Sequence, residues 1–158
     1  METKILLKYE RSCEDMSAYH GFYFDDESVN YDAFIGKEIF IDVRTFSTEK
    51  VLEISNSLSG LDVTFITDSV MQVAFIKSAN SNARISFYYE KFSDDVIPFI
   101  LANGFDVTFN YQTLAPERVL ALHNAGKKVT AMLLTRQDEV GVLKYYNVDY
   151  IVVTKDIK

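Results

Sequence analysis

Residues 47–67 carry one complete helix–strand unit and read Ser47-Thr48-Glu49-Lys50-Val51-Leu52-Glu53-Ile54-Ser55-Asn56-Ser57-Leu58-Ser59-Gly60-Leu61-Asp62-Val63-Thr64-Phe65-Ile66-Thr67. The hydroxyl of Ser47 can cap a helix, and the apolar residues from Val51 onward follow helical spacing. Gly60 is typical of a helix end. The run from Asp62 to Thr67 is rich in β-branched and aromatic residues, which predicts a strand.

The same alternation recurs along the whole chain. Strand-like runs are separated by segments of helical spacing, an order that requires parallel strands joined by right-handed crossovers. Eight units favour closure, so we predict a minimal (β/α)8 TIM barrel, with an open parallel α/β sheet as the alternative. Short or missing helices are expected, because the connections at residues 10–20 and 26–37 are brief. The predicted strands are Lys4–Tyr9, Gly21–Asp25, Glu38–Arg44, Asp62–Thr67, Ala83–Tyr89, Asp106–Tyr111, Lys128–Leu134 and Asp149–Thr154.

The size and charge of the chain limit the classes of protein to which it can belong. Its 158 residues fit one domain spanning residues 1–158. The formal net charge of −7 repels phosphate backbones, which excludes nucleic acid as an expected partner but leaves room for one local phosphate site. No apolar stretch is long enough for membrane insertion. The single cysteine, Cys13, indicates a reducing, cytoplasmic compartment.

Polar residues end the predicted strands, at the edge where parallel α/β folds bind ligands. Asp42 and Arg44 are two residues apart and therefore share one face of the third strand. Facing inward, they would offer a carboxylate to a hard cation and a guanidinium to a phosphate; facing outward, they would form an ordinary ion pair. Glu10 and Asp25 end the first two strands. With Asp42 they predict a site for Mg²⁺ or Ca²⁺, unless such acidic residues merely cap helices.

Three segments carry a resemblance to a known family. The run Ile39–Arg44 is an apolar strand that ends in an acid and a base two residues apart. Residues 119–129 read Val-Leu-Ala-Leu-His-Asn-Ala-Gly-Lys-Lys-Val, and residues 147–155 read Asn-Val-Asp-Tyr-Ile-Val-Val-Thr-Lys. These segments resemble the Glu-x-Lys strand, the helix-His-Gly stretch and the closing Gly-Val-Asp-Gly-Ile-x-Thr-Asp of the glycerophosphodiester phosphodiesterases. The resemblance covers about the C-terminal three quarters of the chain.

The resemblance implies a barrel in which carboxylates hold a metal ion and two histidines act as acid and base. The first part of the chain departs from this pattern. Glu10-Arg11-Ser12 stands where the family has His-Arg-Gly, Tyr23-Phe24-Asp25 stands where it has Glu-x-Asp, and its second catalytic histidine has no counterpart. The two histidines of the chain, His20 and His123, end no strand, and we expect structural roles for both. Whether the chain is an enzyme is therefore left open.

Two functions remain as hypotheses. The first is a divergent phosphodiesterase-like barrel that binds a small phosphorylated molecule and, with a divalent cation, hydrolyses a phosphodiester. The second is a catalytically inactive barrel, a pseudoenzyme, that serves in binding or assembly; homo-oligomers are then expected, because short helices leave apolar surface for a second copy. The predicted site consists of catalytic Glu10, Asp42 and Arg44, substrate-binding Arg11 and Lys155, and metal-binding Glu10, Asp25 and Asp42.

Overall fold

The structure, a computed structural model, describes residues 2–9, 19–27, 31–34, 36–134 and 136–154. Eight strands pair in parallel and in chain order, and the first also pairs with the last, so the sheet closes into a barrel. This confirms the predicted TIM-type α/β barrel and rules out the open sheet. The strands are β1 Lys4–Lys8, β2 Gly21–Phe24, β3 Glu38–Asp42, β4 Val63–Thr67, β5 Arg84–Tyr89, β6 Asp106–Asn110, β7 Val129–Leu134 and β8 Tyr150–Val153.

One α-helix lies in each connection from β3 to β8: α1 Thr48–Ser57, α2 Val70–Ala79, α3 Val96–Asn103, α4 Pro116–Asn124 and α5 Gln137–Tyr145. The connection from β6 to β7 also contains a 3-10 helix, Tyr111–Thr113. Between β2 and β3 the described residues form one short 3-10 helix, Tyr31–Phe34, as the brief connection predicts. Most of the connection between β1 and β2 lies outside the described residues. Within the described ranges, none of the helices has the length and apolarity needed to cross a bilayer.

The ends of the helices follow the sequence signals. Ser47 Oγ accepts a hydrogen bond from the backbone N–H of Lys50, at 3.2 Å, and so caps α1. Pro116 is the first residue of α4 and Pro98 the third of α3, positions where a missing N–H breaks no helical hydrogen bond. Gly104 ends α3 in the left-handed conformation, at φ 72°.

Alternate residues along each strand face the inside and the outside of the barrel. The outward side chains pack under the helices and form the larger apolar cluster, which includes Ile41, Phe65, Val107 and Ile151. The inward side chains form a second cluster that fills the barrel. Its members are Leu6, Tyr23, Phe40, Ile66, Met132, Tyr150 and Val152, with Tyr88 packed against them.

Aromatic rings cover the outside of β1 and β2. Tyr9, Phe22, Phe24, Tyr31 and Phe34 pack with ring centroids 4.9 to 6.3 Å apart. Such pairs add roughly 0.5–1.5 kcal/mol each beyond the area they bury. Among the described residues, this cluster covers the outer side of β2, whose connection to β3 contains a short 3-10 helix.

Gly21, the first residue of β2, lies against β3 so closely that a Cβ there would overlap the backbone carbonyl of Glu38. Because that carbonyl belongs to a paired strand, it cannot move aside cheaply. We expect Gly21→Ala to lower the free energy of unfolding by about 2 kcal/mol, measured by urea denaturation.

Gly141 provides the matched control for this prediction. It lies within α5, and a Cβ there would meet nothing within 4 Å. Gly141→Ala should raise the free energy of unfolding by about 0.5–1 kcal/mol through helix propensity. Opposite signs for the two substitutions support the observed contact between β2 and β3, and equal effects would contradict it.

Candidate functional site

The carboxyl mouth of the barrel brings together side chains from neighbouring strands. Asp42 is the last residue of β3, and Arg44 follows two residues later on the same side. Tyr23, on β2, points into the barrel beneath them. Asp42 is only 4% exposed, so the pair faces inward and is not an ordinary surface ion pair.

The carboxylate of Asp42 accepts hydrogen bonds from two side chains and one backbone group. Arg44 Nε lies 2.9 Å from Oδ1, Arg44 Nη2 lies 2.8 Å from Oδ2, and the Arg44 backbone N–H donates to Oδ1 at 3.2 Å. The Tyr23 hydroxyl donates to Oδ2 at 2.5 Å. This two-point contact fixes the orientation of the guanidinium as well as its position.

One face of the guanidinium rests on an aromatic ring. The Cζ atom of Arg44 lies 3.8 Å from the centroid of the Tyr88 ring, a close cation–π contact. The Tyr88 hydroxyl donates to Glu90 Oε2 at 2.6 Å. Arg44 is therefore held between a carboxylate at its edge and a ring at its face.

A second ion pair lies at the same mouth. Lys8 Nζ, at the end of β1, is 3.3 Å from Oδ2 of Asp25, which follows β2. Asp25 and Asp42 both act electrostatically on the Tyr23 hydroxyl, so both carboxylates lie around it. Two acids and two bases from the first three strands thus meet at one end of the barrel.

Burial and charge keep the tyrosine protonated. Burial, followed by the charge and hydrogen bond of Asp42, raises the pKa of Tyr23 far above its ordinary value. Burial acts to lower the pKa of Arg44, but its hydrogen bond to Asp42 and the charge of Asp42 raise it overall. At physiological pH Tyr23 is therefore a neutral donor and Arg44 a fixed cation.

The predicted site residues fall into two groups. Asp25, Asp42 and Arg44 lie together at the carboxyl mouth. Glu10, Arg11 and Lys155, together with Cys13, lie outside the described residues, and their assigned roles stay predictions.

The described carboxylates Asp25 and Asp42 do not form a site for a divalent cation, because each is already paired with a protein cation. In the described ranges, no group of three or more His, Cys, Asp or Glu side chains is placed to hold a metal ion. Asp42 is engaged by Arg44 and Tyr23, and Asp25 is engaged by Lys8. A cation bound by these two carboxylates would have to displace a protein cation from each.

Both histidines lie at the amino end, opposite the candidate site. His20 Nδ1 accepts a hydrogen bond from the backbone N–H of Ile5 at 3.0 Å. His123 Nε2 lies 2.8 Å from Oδ2 of Asp149, which also accepts from the backbone N–H of Val129 at 2.8 Å. The contacts of both histidines are thus with the structure around the starts of the strands, as the sequence predicts.

Several other strand-end residues serve local turns. Thr67 Oγ1 accepts from the Ser69 backbone N–H at 3.1 Å, and Asn110 Oδ1 accepts from the Gln112 backbone N–H, also at 3.1 Å. Arg136 pairs with Asp138 in the first turn of α5. For these residues the polar character of the strand ends reflects capping and turn formation.

Three residues of the site were not assigned to it from the sequence: Lys8, Tyr23 and Tyr88. Glu90 is one of the polar residues that end the predicted strands. For the two tyrosines the signal is the period of two, since Tyr23 precedes Asp25 by two residues and Tyr88 precedes Glu90 by two. Each pair therefore shares the inward face of its strand.

The described residues also enclose a cavity of about 370 Å³ at the amino end, lined by Lys4, His20, Gly36, Lys37, Glu38, Ile39, Leu61 and Asp62. The amino end of such barrels typically contributes stability, whereas ligands bind at the carboxyl end. An inward-facing guanidinium and two buried or half-buried carboxylates converge at the carboxyl mouth. That mouth is therefore the candidate site, although this cavity lies at the other end.

Comparison with known proteins gives a likeness of fold. No protein-family profile and no curated protein matches the chain. The chain is similar to a solved structure from Galdieria sulphuraria assigned as a glycerophosphodiester phosphodiesterase, with a TM-score of 0.64 and 12% identity over 74% of this chain and 53% of that one. A Silicibacter pomeroyi DSS-3 protein assigned as a glycerophosphoryl diester phosphodiesterase has a TM-score of 0.62 and 9% identity, over 74% of this chain and 46% of that one. An Oleispira antarctica phosphodiesterase, solved with its product sn-glycerol-3-phosphate, has a TM-score of 0.64 and 11% identity, over 75% of this chain and 51% of that one.

The chain therefore spans about half the length of these structures. Identities between 9% and 12% establish the fold alone. At this level the chain is a minimal TIM-type α/β barrel whose structural neighbours are glycerophosphodiester phosphodiesterases.

Proposed function

We propose that the chain is a phosphodiesterase-like barrel that binds a small phosphorylated molecule at its carboxyl mouth. The observation that carries the proposal is the inward-facing guanidinium of Arg44, oriented by Asp42 and stacked on Tyr88. Arginine forks match phosphate oxygens in geometry and charge. Lys8 adds a second cation at the same mouth, and the predicted substrate-binding residues Arg11 and Lys155 would add two more.

The structural neighbours support this class of ligand. The Oleispira antarctica phosphodiesterase holds sn-glycerol-3-phosphate, a small phosphate monoester. Its barrel resembles this one over 75% of the present chain. The overall charge of −7 does not oppose such a ligand, because one phosphate responds to the local pocket rather than to the whole surface.

A thermal shift assay tests the proposal. If sn-glycerol-3-phosphate is present at about 100 times its Kd, mass action stabilises the folded state by about 2.7 kcal/mol, or roughly 5–10 °C in Tm. Arg44→Gln should abolish the shift. Arg136→Gln is the matched control and should keep it, since Arg136 is exposed and belongs to α5. No shift for glycerol phosphates or inorganic phosphate in the unmodified protein would refute the proposal.

Hydrolysis of a phosphodiester is the second candidate, and the shared position of Asp25 and Asp42 around Tyr23 favours it. In this hypothesis Glu10, Asp25 and Asp42 hold Mg²⁺ or Ca²⁺, and Glu10, Asp42 and Arg44 act in catalysis. Against it stand the pairing of Asp25 and Asp42 with cations and the absence of histidine from the described mouth. Stabilisation by Mg²⁺ or Ca²⁺ that disappears in Asp42→Ala would support hydrolysis.

One structural observation favours the alternative hypothesis, an inactive barrel that serves in assembly. Large apolar side chains are exposed on adjacent helices, notably Leu120 on α4 and Val142 and Tyr145 on α5. A surface of this kind favours association when a second copy can cover it. Sedimentation over a wide concentration range tests the predicted homo-oligomer, and a monomer throughout would remove it.

A further inference from the structure

The carboxylate of Asp42 is filled by protein donors. An ionised carboxylate has about four lone-pair sites. Arg44 and Tyr23 make five contacts of 2.5 to 3.2 Å with its two oxygens. The side chain is also buried, so water does not compete for these sites. A further ligand to this carboxylate would have to remove a donor that is already in place.

Asp25, the other carboxylate that acts on Tyr23, is also paired with a cation of the chain itself. Its partner is Lys8, at 3.3 Å. Asp25 and Asp42 therefore each have a protein cation beside them. These cations are Lys8 and Arg44.

Within the described part of the chain, the contacts of the Arg44 guanidinium with Asp42 and Tyr88 leave donors for a ligand. It carries five N–H groups in a planar fork. Asp42 engages the edge formed by Nε and Nη2, which leaves the remaining N–H groups pointing away from the carboxylate. Tyr88 supports the face of the plane and so limits its rotation. A phosphate can dock against the free edge without any change in the Asp42 pair.

We propose that the mouth binds the phosphate group of its ligand directly through Arg44, without a divalent cation, and that Tyr23 is the positioning residue for this interaction. The inference rests on the proposed function and specifies how that site recognises its ligand. Tyr23 acts through Asp42: its hydroxyl holds Oδ2, and the carboxylate in turn holds the guanidinium. Arg44 and Lys8 supply the positive charge that a metal ion would otherwise bring.

Tyr23 suits this role because its hydroxyl already donates to Oδ2 of Asp42, at 2.5 Å. Its ring is fully buried in the inward cluster, so the hydroxyl has a fixed position. Removing only that oxygen should loosen the Asp42 carboxylate and, through it, the guanidinium.

The experiment is a calorimetric titration of sn-glycerol-3-phosphate and of inorganic phosphate, in EDTA and again with Mg²⁺ or Ca²⁺. The unmodified protein should bind with the same Kd in both buffers. Tyr23→Phe should weaken binding roughly tenfold, the effect of losing one charge-assisted hydrogen bond. Tyr31→Phe is the matched control, because Tyr31 is also buried but donates to the backbone carbonyl of Asp26 outside the barrel. It should leave the Kd unchanged.

A double variant separates positioning from a general effect on stability. If Tyr23 acts through the guanidinium fork of Arg44, adding Tyr23→Phe to Arg44→Lys, which keeps the charge but not the fork, should cause no further loss of affinity. A merely structural role would lower affinity by the same factor in both backgrounds.

The outcomes distinguish this inference from the proposed function. Binding that appears only with a divalent cation overturns the inference while the phosphate site survives, and the comparison needs no variant. An unchanged Kd in Tyr23→Phe overturns the role of Tyr23. Absence of binding in every buffer removes the proposed function and the inference together.

Discussion

Asp42→Ala is expected to lower the free energy of unfolding by about 3–5 kcal/mol, the range for removing one partner of a buried ion pair. The substitution leaves the half-buried guanidinium of Arg44 without its counter-charge and the buried hydroxyl of Tyr23 without its acceptor. Total stabilities of domains are about 5–15 kcal/mol, so this is a large share. Urea denaturation followed by circular dichroism measures it. Asp42→Asn, which keeps an acceptor oxygen, should lose less.

The matched control for this prediction is Asp25→Ala. Asp25 also pairs with a cation at the same mouth, but its side chain is 39% exposed, so water can replace its partner. A loss below about 1 kcal/mol is expected. If the two alanine variants lose equal stability, Asp42 is not the buried centre of the network described above.

The second large effect is expected at the other end of the barrel. Asp149 is 6% exposed, and its Oδ2 accepts from both His123 and the buried backbone N–H of Val129. Asp149→Ala removes both hydrogen bonds and leaves a strand N–H unsatisfied inside the protein. The expected loss is about 2–4 kcal/mol, again by urea denaturation.

Asp138→Ala serves as the control for Asp149. Asp138 pairs with Arg136, but the two side chains are 65% and 69% exposed. A change within about 0.5 kcal/mol is expected. The effects of Asp149→Ala and Asp42→Ala should add in the double variant, because the two residues lie at opposite ends of the barrel and share no partner. Strong non-additivity would contradict that arrangement.

The barrel could be predicted from the sequence because its strands depend on local patterns. Runs such as Val63–Thr67 are bounded by polar or glycine residues and alternate with helical segments. Each of these patterns can be recognised within a few residues. The sequence predicted only part of the arrangement of Asp42 and Arg44. Their spacing places them on one face of β3, but the sequence does not say which face.

The contacts within the site could not be predicted from the sequence, because they depend on the closed fold. Tyr23 and Asp42 are 19 residues apart, and their hydrogen bond depends on the register between β2 and β3. The stacking of Arg44 on Tyr88 depends on how β5 lies relative to β3 across the mouth. Neither arrangement follows from a period of two alone. The metal hypothesis counted carboxylates at strand ends and could not take account of the cations that pair with them.

The aromatic cluster on β1 and β2 illustrates a second limit of the sequence. The brief connections predicted short helices there, which the structure confirms between β2 and β3. What covers the strands in their place is an interlocking set of rings whose members come from Tyr9 to Phe34. Side-chain packing of this kind is a property of the assembled fold.

A crystal structure of the protein grown with sn-glycerol-3-phosphate and EDTA tests the central claim most directly. The account predicts phosphate oxygens about 2.7–2.9 Å from the free edge of the Arg44 guanidinium, with the contacts from Asp42 to Arg44 and Tyr23 intact. Phosphate bound elsewhere on the barrel, or bound at the mouth only after Arg44 has left Asp42, would contradict it.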